Sequence, residues 1–305
     1  MSLFLEQCLN GLQLGVLLFL ISAGLTLVFG IMNFVNLAHG SAFMLGAFVT
    51  AWLATKIGSY PLAAGASIVV LLAGGMALER AVLRRFYGAH HLDHVLVTFG
   101  LVLIANELAR RTWGAQGLSI SLPAWLESSV AIAPGVNYSL YKLLTIFMAL
   151  FAGGLLALMI QRTRLGMQIR AGAQDREMTE ALGVNIDRLF TTVFGLGAAL
   201  AGLAGAMAVP VMSAQIGMGE DILILSFVVI VLGGVGSVRG SFLAALTVGL
   251  VDVLGRAYMS SLVGMFATPA STSAIAASLS SMLIYFGMAL ALLARPEGLF
   301  AGKRP

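Results

Sequence analysis

The sequence predicts an all-α protein: a polytopic transmembrane helical bundle of about eight or nine membrane segments, with two Gly/Asn-rich breaks and a short cytoplasmic helix. Three observations predict it. Of the 305 residues, 59% are hydrophobic and only 10% are charged. Counted with Gly and without Tyr, the apolar share is roughly 69%, against about 45–50% in ordinary globular domains. The apolar residues fall in runs of about 20, the length that crosses roughly 30 Å of hydrocarbon. The basic residues cluster between those runs, as positive-inside anchors do. So few polar groups cannot cover that much apolar surface in water, which excludes soluble enzymes, nucleic-acid binders and disordered regulators. The net charge of +4 therefore does not argue for nucleic acid.

The candidate spans, in order, are 12–32, 40–56, 62–83, 95–112, 139–161, 189–212, a long run at 222–256, and 275–294. The start MSLFLEQ carries no basic residue, and the apolar run after it is too long for a cleaved signal, so it reads as a retained first span. The run 222–256 is too long for one crossing, and Gly233-Gly234-Val235-Gly236-Ser237-Val238-Arg239-Gly240 divides it into a descending and a rising piece. Arg80, Arg84 and Arg85, then the loop 162–188 with Arg162, Arg164, Arg170, Arg176 and Arg188, then the tail with Arg295, Lys303 and Arg304 are all expected on the cytoplasmic side. Counting crossings between these basic loops requires the split at 233–240 and places the N-terminus outside. Trp52, Trp113 and Trp125 fall at outer span ends, where amphipathic rings favour the interface. Arg110, Arg111 and Arg256 dissent, landing near the outer face. No linker interrupts the chain, so 1–305 reads as a single integral membrane domain. The lone Cys8 forms no internal disulfide, and no Cys/His framework suggests a metal centre or other cofactor.

Two stretches share one design. Gly30-Ile31-Met32-Asn33-Phe34-Val35-Asn36-Leu37-Ala38-His39-Gly40 interrupts the first apolar region as 233–240 interrupts the last. Paired interruptions point to a transporter core, because irregular backbone is tolerated at membrane depth only where it packs in protein or lines a cavity. Two tight cytoplasmic turns would read the same way. Asn33, Asn36 and His39 are spaced i, i+3, i+6, so on a helix they would share one side and could line a solute path, or simply satisfy backbone at the break. Glu107 and Asp252 would be costly facing lipid, and Arg110 or Arg111 and Arg256, about one turn on, are the expected partners. His90 and His94 lie at i, i+4 but lack further ligands at recognisable spacing, which favours a juxtamembrane loop over a metal site. Ser41 near His39 lacks an orienting acid, so an intramembrane hydrolase is not supported.

The loop 162–188 is the most informative. Asp175, Arg176 and Glu177 suit the start of a short helix, Met178, Ala181 and Leu182 share one face, and Gly183 suits its stop. Such a helix, held between two spans, offers a partner something to grip.

The loop resembles the coupling segment of ABC importer permeases, specifically the branched-chain amino-acid permease family and its LivH-like half. Its other signatures are Asn33-x-x-Asn36-Leu37-Ala38-His39-Gly40 with Gly46-Ala47 downstream, Val231 through Gly240, and the ending Arg295-Pro296-Glu297-Gly298-Leu299-Phe300. One departure is Arg239, where a Pro or a small residue is expected. The resemblance implies a bacterial inner-membrane permease for branched-chain or related small amino acids, or urea or amides, working by alternating access. The chain would not be an enzyme. It would need no cofactor and would sit among membrane lipid beside a second homologous permease, two cytoplasmic ATPases and a periplasmic binding protein. No Walker A pattern occurs, so the nucleotide chemistry would belong to partners. Arg170, Ala171, Ala173, Asp175, Glu177, Ala181, Leu182 and Gly183 would couple to the ATPases. Asn33, Asn36, His39, Gly40, Gly233, Gly234, Gly236, Ser237 and Gly240 would belong to the translocation path. The competing expectations are an ion-coupled carrier or facilitator using Glu107 or Asp252, and a scaffold that moves no solute.

Overall fold

The computed structural model describes residues 2–134, 136–265, 269–295 and 298–300. Pro296, Glu297, Lys303 and Arg304, invoked above for the tail, lie outside them. The fold is mostly helical. Among the described residues seven helices are long and apolar enough to cross a membrane: Leu3–Met32 within α1 (Ser2–Met32), α2 (His39–Ile57), α3 (Tyr60–Ala81), α4 (His91–Trp113), α6 (Leu140–Arg162), α9 (Ile186–Met212) and α11 (Val238–Val263). Between α4 and α6 lie the short α5 (Ala124–Glu127) and two strands, β1 (Ser129–Ala133) and β2 (Val136–Ser139). The remaining helices are α7 (Arg164–Gln174), α8 (Arg176–Ala181), α10 (Met218–Gly233) and α12 (Pro269–Ala294).

The all-α expectation needs one correction. β1 and β2 pair antiparallel, with Val130 opposite Tyr138 and Ala131 opposite Asn137. The stretch is too short for a span and its β-branched residues suit strands. Tyr138 anchors it, its hydroxyl donating to Asn10 Oδ1 at 3.2 Å, while Lys142 Nζ donates to the same oxygen at 2.8 Å. This hairpin marks one end of the bundle; α7 and α8 mark the other, the basic end.

α1 and α9 form the core pair. α1 is apolar on every side, with Glu6 its only charge, as a helix surrounded by protein should be. α9 carries Gly195, Gly197, Gly202 and Gly205 among alanines. Side chains at Gly46 or Gly202 would collide across the α2–α9 crossing or with Leu71, and one at Gly205 would collide with the Phe43 carbonyl. Gly24 meets Gly197 in the same manner, and Gly15 meets Ala245 and Leu246 on α11. Bare backbone brings these helices together, the usual route to dense packing in lipid, where apolar side chains gain nothing from leaving an apolar solvent. At the hairpin end, Tyr60 and Tyr141 hydroxyls lie 2.7 Å apart and donate to the Ala206 and Met207 carbonyls of α9.

The split at 233–240 is a turn between two helices. Gly234 and Gly236 take φ of 84° and 85°, Ser237 Oγ accepts from the Gly240 amide at 3.0 Å, and Gly233 and Gly240 touch backbone to backbone. Arg239 sits exposed in the first turn of α11, outside the tight part, so its bulk fits. The tail returns here: the Phe300 amide donates to the Leu232 carbonyl at 3.3 Å, and Gly298 packs on Gly234.

Replacing Gly46 with Leu is expected to cost the detergent-solubilised protein its monodisperse peak or lower its melting point by more than 10 °C, because the facing Gly202 backbone cannot retreat. Gly65→Ala, which meets nothing within 4 Å, should leave that melting point unchanged or raise it slightly.

Candidate functional site

The first break departs from the helical side expected for Asn33, Asn36 and His39. α1 stops at Met32, Asn33 adopts a left-handed φ of 48°, and 33–38 carries no helix before α2 begins at His39. Asn33 therefore parts from the other two. Asn33 is exposed, whereas Asn36 is 1% and His39 2% accessible. His39 Nε2 donates to the Ile21 carbonyl at 3.1 Å. Ile21 lies about 16 Å of helical rise before the end of α1. The break thus threads back into the membrane, and α2 starts inside it.

At that depth α2 meets α10 at the first turns of both helices. Gly40 and Gly219 touch through their backbones so closely that neither tolerates a Cβ. Two helix N-termini thus meet between longer spans, as in the discontinuous helices from which transporter folds are built. Beside it a cavity of about 320 Å³ is lined by Asn36, His39 and Ser41 and otherwise by apolar groups of α2, α3, α4 and α9. The Asn36 amide and the Ser41 hydroxyl have no hydrogen-bond partner among the described residues.

At the basic end a basin of about 960 Å³ opens between the end of α1, the turn 233–240 and α7. Asn33 and Gly236 line it together with Arg170 and Ala173. Gly233, Gly234, Ser237 and Gly240 form the turn behind Gly236 and pack on each other or on the tail. Sequence reasoning placed these residues in two groups, one for coupling and one for the solute path; the structure brings two members of each to a common rim.

The segment 162–188 folds as two helices, one more than expected. Thr163 caps α7 by accepting from the Gly166 amide at 3.1 Å, and a side chain at Gly166 would overlap the last carbonyls of α6. Arg170 donates to the Ile160 carbonyl, closing the α6–α7 joint. Gly172 and Ile169 face inward, next to Leu189 and Ile31 in the former case. Asp175 caps α8, its Oδ1 accepting from the Met178 amide at 2.9 Å, and Gly183 ends it in a left-handed turn with its amide donating to Glu180. Thr179 turns inward and Arg176 lies over the Phe190 ring at 4.9 Å. Met178, Ala181 and Leu182 stay exposed, Leu182 at 78%.

Glu79 had no place in the sequence reading. It is fully buried in the last turn of α3 and accepts from the Tyr87 hydroxyl at 2.6 Å, the Thr191 hydroxyl at 2.6 Å, and Arg84 Nε and Nη2 at 3.3 Å each. Arg84, read above only as a topology charge, also reaches the Asp187 carboxylate at 3.6 Å. Burial first and the Glu79 hydrogen bond second raise the Tyr87 hydroxyl above its ordinary range, so it remains a donor. This cluster fastens α3 to the first turn of α9, immediately after the α7–α8 unit. The spacing Glu79-x4-Arg84-x2-Tyr87 was its only trace in the sequence. The two acids that were expected to find arginines do so, Glu107 with Arg111 at 2.7 Å and Asp252 with Arg256 at 2.9 Å. Among the described residues no group of three or more His, Cys, Asp or Glu could hold a metal, and His94 instead donates to the Phe86 carbonyl at 2.8 Å.

Against known proteins, the family described as branched-chain amino acid transport system / permease component matches residues 7–292. The chain is 32% identical over 266 residues to the high-affinity branched-chain amino acid transport system permease protein BraD of Pseudomonas aeruginosa, covering 83% of this chain and 86% of that one. It is 30% identical over 276 residues to the corresponding LivH of Escherichia coli K12, covering 84% and 87%. A solved structure described as a metal-chelate type ABC transporter in an inward-facing conformation aligns at 20% identity and a TM-score of 0.45, over 94% of this chain and 85% of its own.

Truncating Glu79 to Ala is expected to destabilise the fold by about 3–5 kcal/mol, since Arg84 and two hydroxyls lose their acceptor, although the partial exposure of Arg84 favours the lower figure. Glu79→Gln keeps an acceptor and should cost about half as much. Thermal unfolding of purified protein checks both.

Proposed function

The chain belongs to the branched-chain amino acid transport permease family, and from that premise we propose how its two ends work together. It is the permease component of a branched-chain amino acid ABC transport system, a multi-pass membrane protein and not itself catalytic. In the proposal α7 and α8 form the lever on which partner ATPases act. Exposed Met178, Ala181 and Leu182 supply the apolar grip, and Arg170, Ala171, Ala173, Asp175, Glu177 and Gly183 set its shape and charge. The observation that carries this reading is the asymmetry of the unit. Its inner side is pinned by caps, Ile169, Thr179 and the Arg176–Phe190 contact, while its outer side offers bulky apolar groups with no cover. A rigid unit with an apolar outer patch transmits a push; a loose loop would absorb it.

ATP-driven closure beneath the lever would then reach the bundle by two routes. Arg170 and Gly166 join it to α6, and the Glu79 cluster joins the start of α9 to α3. Asn33 and Gly236 would rim the inner mouth of the solute path. Asn36, His39 and Gly40 would lie deeper along it, and Gly233, Gly234, Ser237 and Gly240 would act as the hinge that opens or closes it. The full system would hold a second homologous permease, two cytoplasmic ATPases and a periplasmic binding protein. The segment 162–188 and the tail would face the cytoplasm of a bacterial inner membrane, with eight or nine embedded segments in one integral domain. The arginine-rich 162–188 segment supports that orientation. The competing carrier mechanism was expected to use Glu107 or Asp252, and each of these holds an arginine.

Leu182→Asp and Ala181→Trp, made in the complete transporter, are expected to lower leucine uptake at least tenfold while the protein stays in the membrane. ATP hydrolysis should lose its dependence on substrate-loaded binding protein. Asp175→Ala removes a cap worth about 0.5–2 kcal/mol and should give a milder loss. Wild-type uptake in all three would overturn the lever.

A further inference from the structure

Among the acids on embedded helices, Glu79, Glu107 and Asp252 each engage an arginine. Glu220 does not. It stands in the first turn of α10, next to Gly219 and its contact with Gly40, and its Oε1 accepts from Asn106 Nδ2 of α4 at 2.5 Å. That bond settles which way the Asn106 amide points, because a carboxylate oxygen needs the nitrogen. It leaves two buried acceptors, Glu220 Oε2 and Asn106 Oδ1, with no donor among the described residues. The N-terminus of α10 favours an acid there but does not supply the missing donor. With Glu220 ionised, a buried carboxylate oxygen and a buried amide oxygen without donors are costly in a membrane, a cost relieved either by a proton on Oε2 or by a donor from outside the described residues.

We propose that Glu220 and Asn106 receive the α-ammonium group of the transported amino acid, which rests on the permease reading above. An ammonium carries three N–H donors and a positive charge, so it satisfies both oxygens and neutralises the acid at once. The position suits a solute. The pair bridges α4 and α10 at the level where the first turns of α2 and α10 meet, and the adjacent Asp221 is exposed, adding negative potential beside a cavity it shares with Asp252 and Arg256. Two oxygens held by a mutual hydrogen bond recognise the invariant part of an amino acid. The aliphatic part is left to apolar surroundings such as Met218, which packs against the cluster that contains Met44 and Phe48.

Glu220→Gln separates this role from a merely structural one. The new amide can donate to Asn106 Oδ1 and accept from Asn106 Nδ2, so a pair that only holds α4 to α10 would be improved by it. In proteoliposomes containing the complete transporter and leucine-loaded binding protein, Glu220→Gln is expected to lower leucine uptake at least tenfold with an unchanged or raised melting point. Glu220→Asp should retain part of the uptake. Wild-type uptake by Glu220→Gln would overturn the proposal. Dissociation of the Glu220→Gln complex on size exclusion would also overturn it, by pointing to a basic side chain of the second permease as the missing donor. An unsubstituted complex that took up no leucine would instead overturn the permease reading and this one with it.

Discussion

Backbone-to-backbone contact at glycine is the constraint on which the rest of this molecule depends. Gly46 against Gly202, Gly205 against Phe43, Gly24 against Gly197 and Gly40 against Gly219 bring α1, α2, α9 and α10 closer than side chains would allow. In lipid that closeness replaces the hydrophobic driving force, and it lets a helix begin inside the membrane. α2 can start at His39 only because Ile21 offers a carbonyl to the ring and Gly219 leaves room for the first turn. Where the chain lacks helical hydrogen bonds, at 33–38, Phe34 and Asn36 turn into the protein: Phe34 is fully buried and its ring lies 4.3 Å from that of His94.

The two ends of the bundle are built by different chemistry. At the hairpin end, tyrosine hydroxyls and Asn10 tie loops to helix carbonyls through single hydrogen bonds. At the basic end the ties are caps, close carbonyl contacts and a charged cluster. Thr163, Asp175 and Asn185 cap three consecutive helices, and Glu79 gathers Arg84, Tyr87 and Thr191 below them. A segment pinned at each helix start while its outer surface stays apolar and uncovered is what the proposed lever requires. The basin behind it, shared by Asn33, Arg170 and Gly236, puts lever and turn within reach of one another.

Charge inside the membrane sorts by partner. Glu107 and Asp252 find arginines one turn along the same helix, an arrangement local enough to read from spacing. Glu79 finds its partners across 5, 8 and 112 residues of sequence, and Glu220 finds Asn106 across 114. The acids with distant partners stand at the two places where helices must hold together or admit something, the base of the lever and the crossing of α2 with α10.

Composition and spacing by themselves determined a great deal: a membrane bundle, the approximate position of its spans, the division of 222–256 at its glycines, and a capped helix from Asp175 to Gly183. Hydropathy, caps and turn residues act over one or two helical turns, so they are written locally. The β1–β2 hairpin escaped because two four- or five-residue strands leave little periodicity. α7 escaped because its Gly166 and Gly172, poor helix formers, are there for close packing on α6 and α9. The sequence marked Asn33, Asn36 and His39 as a group, yet only the fold revealed that no helix joins them and that Asn33 rims the basin while Asn36 and His39 line the inner cavity. The Glu79 cluster and the Glu220–Asn106 pair were decided by tertiary structure alone, because nothing near either acid in the chain announces which distant helix will deliver its partner.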